Sequence, residues 1–581
     1  PIPTRRLAET LISDFFMTDR TENTTKKNNG LHKRHKILNS VLCLLAIWLT
    51  ALIFGDSLLY AVKPVIPTAN RHQKGKIFLE YADSLSLNEM HPEYQVLSGH
   101  VKFRKGDMYM YCDSAHFYDK ENKMNAFGNV KMEQGDTLFV YSDVLYYDGM
   151  QEIARLRKVQ NGVRLEHRNT TLFTDSLDYD LIANIGYYFK GGEISDDKNT
   201  ITSIYGQYAP DTKDSEFLYD VVLTNNEKKF VLNTDTLLYN TQTHIADIVG
   251  HTTIESDSSI VYTDRGWYNT DKDKVQLLNR SLVVGKDGQT LTGDTIVYDR
   301  ANGFGEVFGN MVLTDTAKSA VLTGGYGYHN EKDNTSFATR RALAMEYSQG
   351  DTVFVHGDTI RTYLQMPDSS RVMCAYPNVR FYRTDVQGVC DSLTFQSRDS
   401  MIFMHRHPIL WNLERQVMGN VIQIHLNDST VDKAYLPEYG LMGEHVEEEF
   451  YNQLSGKEMI ATFIDGKLRR LDVNGNVMAI MLPMEKDSTY NKLVDAEGSF
   501  LTVLVDGQKM EKLNLWPDVT GKVTPLFLAK KSQYYLKGFK WYEAIRPKDR
   551  YDLFTIPDEQ RNLFSEPEAV APVKRIREQE D

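Results

Sequence analysis

Apolar and polar residues alternate along many short stretches of the chain. From Met124 to Glu133, nearly every second residue is apolar or small and the residues between them are mostly polar, and residues 307–313 show the same period. A period of two is typical of a β-strand with one buried face. The 3.6-residue period of an amphipathic helix is not evident between Lys76 and about Pro483, so this region is predicted to be built from strands.

A second, longer period joins these strands into units. An Asp or Gly is followed four residues later by an aromatic residue, as in Asp113 to Phe117 and Asp175 to Tyr179, and weaker copies fill the gaps. The resulting anchor positions are Leu87, Phe117, Tyr147, Tyr179, Tyr208, Tyr239, Tyr268, Tyr298, Tyr328, Thr362 and Phe395. Their average spacing of about 31 residues indicates an internal structural repeat.

A Gly-Asn pair follows many of these anchors. It occurs at Gly128-Asn129, Gly309-Asn310 and Gly475-Asn476. The pair is predicted to lie in mid-strand, where a small residue indicates close approach of the opposite wall. Gly-Asp pairs at 106–107 and 135–136 supply turn residues at strand starts.

Units of two or three strands cannot bury an apolar face alone, so they are expected to stack. The sequence therefore predicts an all-β repeat domain at 76–485, in the form of a β-solenoid or elongated β-roll, with free strand edges at its ends. Residues 486–564 are predicted to cap the last repeat, with contact to phosphates, a membrane or a partner as the alternative for their basic and aromatic side chains. Residues 565–581 are predicted to be disordered.

The N-terminal part carries one strongly apolar run. A basic stretch at 31–36 precedes apolar residues 37–54, which is typical of an export signal or a membrane anchor. Residues 1–36 are predicted to be a basic, disordered region and 37–62 the signal or anchor, and the positive-inside rule would place the rest of the chain outside.

Composition narrows the possible functions. The net charge of −13 argues against a nucleic-acid partner, because phosphate binding needs a basic excess. The four cysteines, Cys43, Cys112, Cys374 and Cys390, are too scattered for a disulfide framework or a metal knuckle. They are predicted to be free, half-buried thiols.

The Asp-[Ser/Thr]-x-x-[Tyr/Phe] anchors followed by a Gly-Asn-Val strand resemble the OstA-like (organic solvent tolerance) family, with the strongest local match at residues 456–477. The resemblance implies an elongated β-jellyroll, open along one side like a folded taco, in the periplasm. Its apolar interior would hold acyl chains of lipopolysaccharide or another envelope lipid, and it would join other β-jellyroll proteins by edge-strand pairing. The interior positions proposed to form this lipid groove are Met108, Met110, Met124, Val130, Met132, Val307, Met311 and Leu313.

No catalytic motif, cofactor site or metal site is predicted. His405 and His407 lie two apart but lack a third ligand, and the Asp residues recur once per unit, which favours turn capping over a unique catalytic pair. The chain is therefore predicted not to be an enzyme. Two alternatives remain open: a β-helix enzyme acting on a polysaccharide, and a structural or adhesive surface solenoid.

Overall fold

The computed structural model describes residues 75–565 except 89, 349, 368, 428–429, 486 and 507–508. The chain divides into two units, Pro1–Asn70 and Arg71–Asp581, and every described residue belongs to the second. The predicted segments 1–36 and 37–62, Cys43, and the tail after Ser565 lie outside the described residues. Within the described part of the chain, no helix has the length and apolar character needed to span a bilayer.

The described residues form antiparallel strands that are all connected in one sheet. The first half of the strands is β1 (Phe78–Tyr81), β2 (Ser84–Asn88), β3 (His91–Lys105), β4 (Met108–Tyr118), β5 (Lys123–Gln134), β6 (Leu138–Asp148), β7 (Ile153–Arg157), β8 (Val163–His167), β9 (Thr170–Thr174), β10 (Ser176–Asp180), β11 (Ile185–Tyr188), β12 (Gly192–Ser195), β13 (Asn199–Ser203), β14 (Tyr205–Ala209), β15 (Asp214–Asn225), β16 (Phe230–Asn240), β17 (Ile245–Ser256), β18 (Ser259–Asn269), β19 (Lys274–Leu278), β20 (Leu282–Gly285) and β21 (Thr290–Thr292).

The remaining strands continue the same sheet to residue 525. They are β22 (Thr295–Asp299), β23 (Phe304–Asp315), β24 (Ala320–Asn330), β25 (Thr335–Glu346), β26 (Val353–Gln365), β27 (Ser370–Tyr376), β28 (Val379–Tyr382), β29 (Val386–Cys390), β30 (Ser392–Gln396), β31 (Met401–His405), β32 (Ile409–Asn412), β33 (Arg415–Gly419), β34 (Val421–Asn427), β35 (Thr430–Leu436), β36 (Gly440–Glu447), β37 (Phe450–Gly456), β38 (Glu458–Ile464), β39 (Lys467–Met481), β40 (Lys492–Asp506), β41 (Lys509–Trp516) and β42 (Thr520–Pro525). Four 3-10 helices (Leu526–Leu528, Lys531–Gln533, Glu543–Ile545 and Asp552–Phe554) and helix α1 (Asp558–Ser565) follow.

Strand pairing arranges the sheet as two facing walls. A long strand such as β4 contributes one half to each wall. Residues 108–112 of β4 pair with the C-terminal part of β3, and residues 114–118 lie beside its N-terminal part. Elsewhere, separate short strands form the two walls. For example, β7 lies in the first wall and β8 in the second, and both pair with β6. The first wall runs from β2 to β41 and the second wall from β1 to β42. This arrangement confirms the predicted all-β jellyroll.

The walls join where the long strands bend. On β5, Gly128 and Asn129 both have positive φ, at 75° and 42°, and stand opposite the single residue Asp113 of β4. A Cβ at Gly128 would lie 2.5 Å from a carboxylate oxygen of Asp113, and the Asn129 amide donates to the same oxygen at 2.8 Å. The Gly-Asn pair is thus a two-against-one β-bulge that turns the sheet, instead of a flat mid-strand site.

The same bend recurs along the stack. Asp294 stands opposite Gly309 and Asn310, whose φ angles are 72° and 45°, and accepts a hydrogen bond of 2.8 Å from the Asn310 amide. The Asp residues that recur once per unit therefore lie opposite bends within the neighbouring strands. We call the joined edge the fold line, and the opposite edge, formed by hairpin turns, the rim.

The sheet extends past the predicted boundary at residue 485, because β40, β41 and β42 continue both walls. Residues 526–565, which we call the strap, do not cover the end of the last repeat. They run back along the outer face of the second wall, where Tyr542 and Ile545 pack with Trp411 of β32. The predicted cap is therefore a lateral strap over the strands of the second wall.

Candidate functional site

A ladder of aromatic side chains on the first wall points into the space between the walls. Directly paired residues of an antiparallel sheet share a face. The row runs through Phe117, Met124, Tyr147, Ala154, Tyr179, Gly186, Tyr208, Ser215, Tyr239, Ala246, Tyr268, Val275, Tyr298 and Gly305. Large rings alternate with smaller residues, and no side chain of the row from Phe117 to Tyr268 is more than 7% exposed. Seven of the predicted anchors, from Phe117 to Tyr298, form this ladder.

The ladder ends at Tyr298. Its next partners in the row are Gly305 and then His329, which is exposed. The predicted anchor Tyr328 instead pairs with Glu306 on the outer face, one residue away from the inner position of its strand. Because a one-residue shift moves a strand side chain to the other face, the downstream interior has no tyrosine at this position.

The second wall carries a facing row of apolar, mostly aliphatic side chains. It runs through Phe103, Met110, Met132, Val140, Leu165, Leu172, Ile194, Ile201, Leu223, Leu232, Ile254, Val261, Val283, Leu291, Leu313, Leu322, Ala344, Val355 and Phe381. Up to Leu232 these side chains are at most 1% exposed. From Val261 onward they are partly exposed, and Leu313 reaches 37%.

The interior therefore has two sections. In residues 75–273, the closed section, both facing rows are buried apart from Val261, which is partly exposed. In residues 274–525, the open section, apolar side chains that face the interior are accessible to solvent, among them Val355, Leu410 and Val417. An accessible apolar surface enclosed between two walls is what a ligand groove requires.

Polar contacts join the two walls along the rim of the closed section, and we call them the seam. Lys105 at the end of β3 and Glu152 in the turn before β7 form an ion pair of 2.7 Å with side chains only 14% and 7% exposed. Other seam contacts include His167 with the Tyr208 hydroxyl at 2.8 Å, Asn199 with the Tyr239 hydroxyl at 2.8 Å, and Lys228 with the carbonyl of Thr270 at 2.7 Å. These cross-wall contacts all lie between residues 75 and 273.

All eight predicted groove residues face the interior, but they lie in different sections. Met108, Met110, Met124, Val130 and Met132 lie in the closed section and are 4%, 1%, 0%, 1% and 1% exposed. Val307, Met311 and Leu313 lie in the open section and are 5%, 5% and 37% exposed. Leu313 is therefore the predicted residue that a ligand could reach without rearrangement of the walls.

Comparison with known families adds to this geometry. Residues 74–235 match the model of the OstA-like protein family. This region is OstA-like. Its described residues, 75–235, lie inside the closed section, so the match covers the tyrosine ladder as far as Tyr208 and the seam residues as far as Lys228. The two walls continue beyond the OstA-like region with the same pairing, through the rest of the predicted repeat.

A solved structure gives a second comparison. LptH, described as the LptA homologous periplasmic component of the conserved lipopolysaccharide transport device from Pseudomonas aeruginosa, matches over 20% of this chain and 82% of its own, with 14% identity and a TM-score of 0.18. The search of curated proteins gives no match.

The OstA-like region contains a buried histidine that sequence patterns did not single out. Burial lowers the pKa of His167 to about 4, and the neighbouring Lys213 acts in the same direction. In an unfolded chain the pKa of histidine is about 6.5, so the unfolded state binds the proton first as the pH falls. The contribution of neutral His167 to stability is therefore complete above about pH 6.5 and is lost as the pH falls towards 4.

We expect His167→Gln to flatten the dependence of the unfolding free energy on pH between about 6.5 and 4. Urea denaturation at a series of pH values measures this dependence. His329→Gln, a change at an exposed histidine outside the OstA-like region, is the matched control and should keep the slope of the unsubstituted protein. An unchanged slope in His167→Gln would contradict the assignment.

The remaining candidates for reactive or metal-binding side chains are histidines, acidic residues and cysteines. Within the described ranges, no cluster of three or more His, Cys, Asp or Glu side chains is placed to hold a metal ion. The cysteines Cys112, Cys374 and Cys390 are free, as predicted, but Cys112 and Cys390 are fully buried instead of half-buried. Burial raises the pKa of Cys112 to about 12, so this thiol is poorly reactive.

Proposed function

We propose that this chain is a cell-envelope protein of lipopolysaccharide transport and that its open section binds acyl chains between the two walls. The OstA-like match supports the coarser part, a relation to lipopolysaccharide transport, because the family to which residues 74–235 are similar is associated with that process. A periplasmic location follows from the same relation. The chain would need no covalent step and no cofactor for this role.

One observation carries the finer part of the proposal. The aliphatic row of the second wall changes from at most 1% exposure, up to Leu232, to 37% exposure at Leu313. Acyl chains laid along this surface would be stabilised by about 0.8 kcal/mol for each methylene removed from water. The sugars and phosphates would remain outside the groove, because burying them without partners is unfavourable.

The ends of the walls suit the transfer of lipid between molecules. Among the described pairings, β1 and β2 each pair only with β3, and β41 and β42 each pair only with β40. Apolar side chains are exposed at both ends, including Leu87 at 72% and Val523 at 61%. We propose that these free edges accept a strand of another β-jellyroll protein and so extend the groove.

The test compares two adjacent substitutions on β23 in the full chain. Leu313→Asp places a charge on the inner face of the open section, and Val312→Asp places the same charge on the outer face. We expect purified Leu313→Asp to carry at least about tenfold less lipid A than the unsubstituted protein, because a carboxylate among acyl chains is strongly unfavourable. Val312→Asp should carry the normal amount, and mass spectrometry of the extracted lipid gives the measurement.

Both variants should show the far-ultraviolet circular dichroism spectrum of the parent. Absence of lipid A from the unsubstituted protein, or equal lipid in both folded variants, would refute the groove. Release of reducing sugar from an envelope polysaccharide by the purified protein would favour the enzymatic alternative instead.

A further inference from the structure

Three buried glutamines lie in one cross-strand row on the outer face of the second wall. Gln387, Gln416 and Gln453 are 4%, 1% and 2% exposed. Strand pairing places Trp411 and Gly443 between them in the row. A side-chain amide therefore faces the strap on every second strand of the row.

Each of two glutamines binds the strap backbone as a neighbouring strand would. The Gln416 side-chain oxygen accepts from the backbone N–H of Tyr542 at 2.8 Å, and its nitrogen donates to the carbonyl of Lys540 at 2.8 Å. Gln453 makes the same pair of bonds with residues 534–536, at 2.7 and 2.8 Å. In an extended chain the carbonyl of one residue and the N–H two residues later point the same way, so each amide replaces one rung of a β-ladder.

Side chains fix the register of the strap on this row. Leu536, Tyr542 and Ile545 are 3%, 7% and 0% exposed. Between the glutamines, a Cβ at Gly443 would lie 2.6 Å from the ring of Phe539, so glycine allows this ring to lie directly on the strand. The strap is thus a specific and well-packed layer on the second wall.

The outer face of the second wall is covered at the level of the strap, whereas the outer face of the first wall is not. The outer residues Val389, Ile409 and Leu441 of the second wall are at most 1% exposed beneath the strap or its neighbours. On the first wall at the same level, the outer residues Phe403 and Gln423 are partly exposed. At the level of the strap, the second wall is therefore packed on its outer face and the first wall is not.

We propose that the strap makes the second wall the rigid side of the groove, which we call the rigid jaw, and that the groove opens by movement of the first wall. Strands packed on one extra layer open less often, because their hydrogen bonds are shielded and more apolar contacts must be broken. Only the part of this inference that concerns lipid entry rests on the proposed function. The difference in rigidity between the walls is a property of the protein alone.

Hydrogen–deuterium exchange of the full chain tests the inference. We expect peptides from β33, β36 and β37 of the second wall to exchange at least about tenfold more slowly than peptides from β31, β34 and β35 of the first wall. In the double variant Gln416→Ala/Gln453→Ala, residues 534–546 should exchange fast and most of the difference between the walls should disappear. Gln423→Ala, on the outer face of the first wall, is the matched control and should leave the difference unchanged.

Three outcomes would overturn the rigid jaw: equal exchange of both walls in the parent protein, a strap that stays protected in the double variant, or a released strap with an unchanged difference between the walls. Addition of purified lipid A is a separate arm, in which slower exchange of the first wall is expected. If lipid A changes no strand while the difference between the walls persists, the proposed function fails and the rigid jaw stands.

Discussion

Replacing Tyr179 by alanine should lower the free energy of unfolding by about 3–5 kcal/mol. Its side chain is 0% exposed in the closed section, and its neighbours in the ladder are Ala154 and Gly186. A Cβ at Gly186 would already lie 3.2 Å from the Tyr179 ring, which shows how closely the ring is packed. Because the neighbours on both sides are small, they cannot fill the cavity that the substitution leaves.

Urea denaturation followed by circular dichroism measures the loss. Tyr146→Ala is the control, since this tyrosine is 42% exposed on the outer face and its loss should cost less than about 1 kcal/mol. Equal effects of the two substitutions would show that the ladder does not hold the closed section together.

The second large effect is expected at Arg380, which fixes the far end of the strap. Its guanidinium group is 1% exposed and donates to the carbonyl of Ile545 at 3.0 Å, to the side-chain oxygen of Gln560 at 2.6 Å and to the carboxylate of Asp552 at 3.0 Å. Arg380→Ala removes the cation and leaves three acceptors without this donor. We expect a loss of about 3–5 kcal/mol in the free energy that holds the strap, because three hydrogen bonds from a buried, charged donor are lost together.

Limited proteolysis reports this loss directly, because a released strap is cleaved at sites between residues 534 and 556. We expect cleavage there to be at least about tenfold faster in Arg380→Ala than in the parent. Arg383→Ala is the matched control: Arg383 pairs with Asp385 at a more exposed site, where an ion pair contributes at most about 1 kcal/mol. Equal cleavage of all three proteins would show that Arg380 does not hold the strap.

The period of about 31 residues could be found in the sequence because the interior row places a large ring on every second strand. Strict alternation was visible only on strands with a Gly-Asn bend, such as β5. There the step across the bulge from Ala126 to Val130 is four residues, an even number, which keeps both on the inner face. On β4 the inner positions pass from Cys112 to Ala115, an odd step, which hides the alternation.

Other features depend on contacts that no local pattern encodes. The glutamines that hold the strap are spread over three hairpins and read as ordinary polar residues of amphipathic strands. Their role appears only when strand pairing aligns Gln387, Gln416 and Gln453 in one row. Likewise, the difference between closed and open sections depends on contacts across the rim, such as Lys105 with Glu152, which are 47 residues apart.

The alternation of large and small residues in the ladder restricts how such a protein can change in length during evolution. Loss of a single strand between Tyr147 and Tyr239 would bring two tyrosine rings or two small residues next to each other and reverse the direction of every later strand. Loss or duplication of a whole hairpin preserves both the alternation of large and small residues and the direction of the later strands. We therefore expect natural homologues to differ in length within the closed section by multiples of one hairpin, and engineered versions to tolerate only such steps.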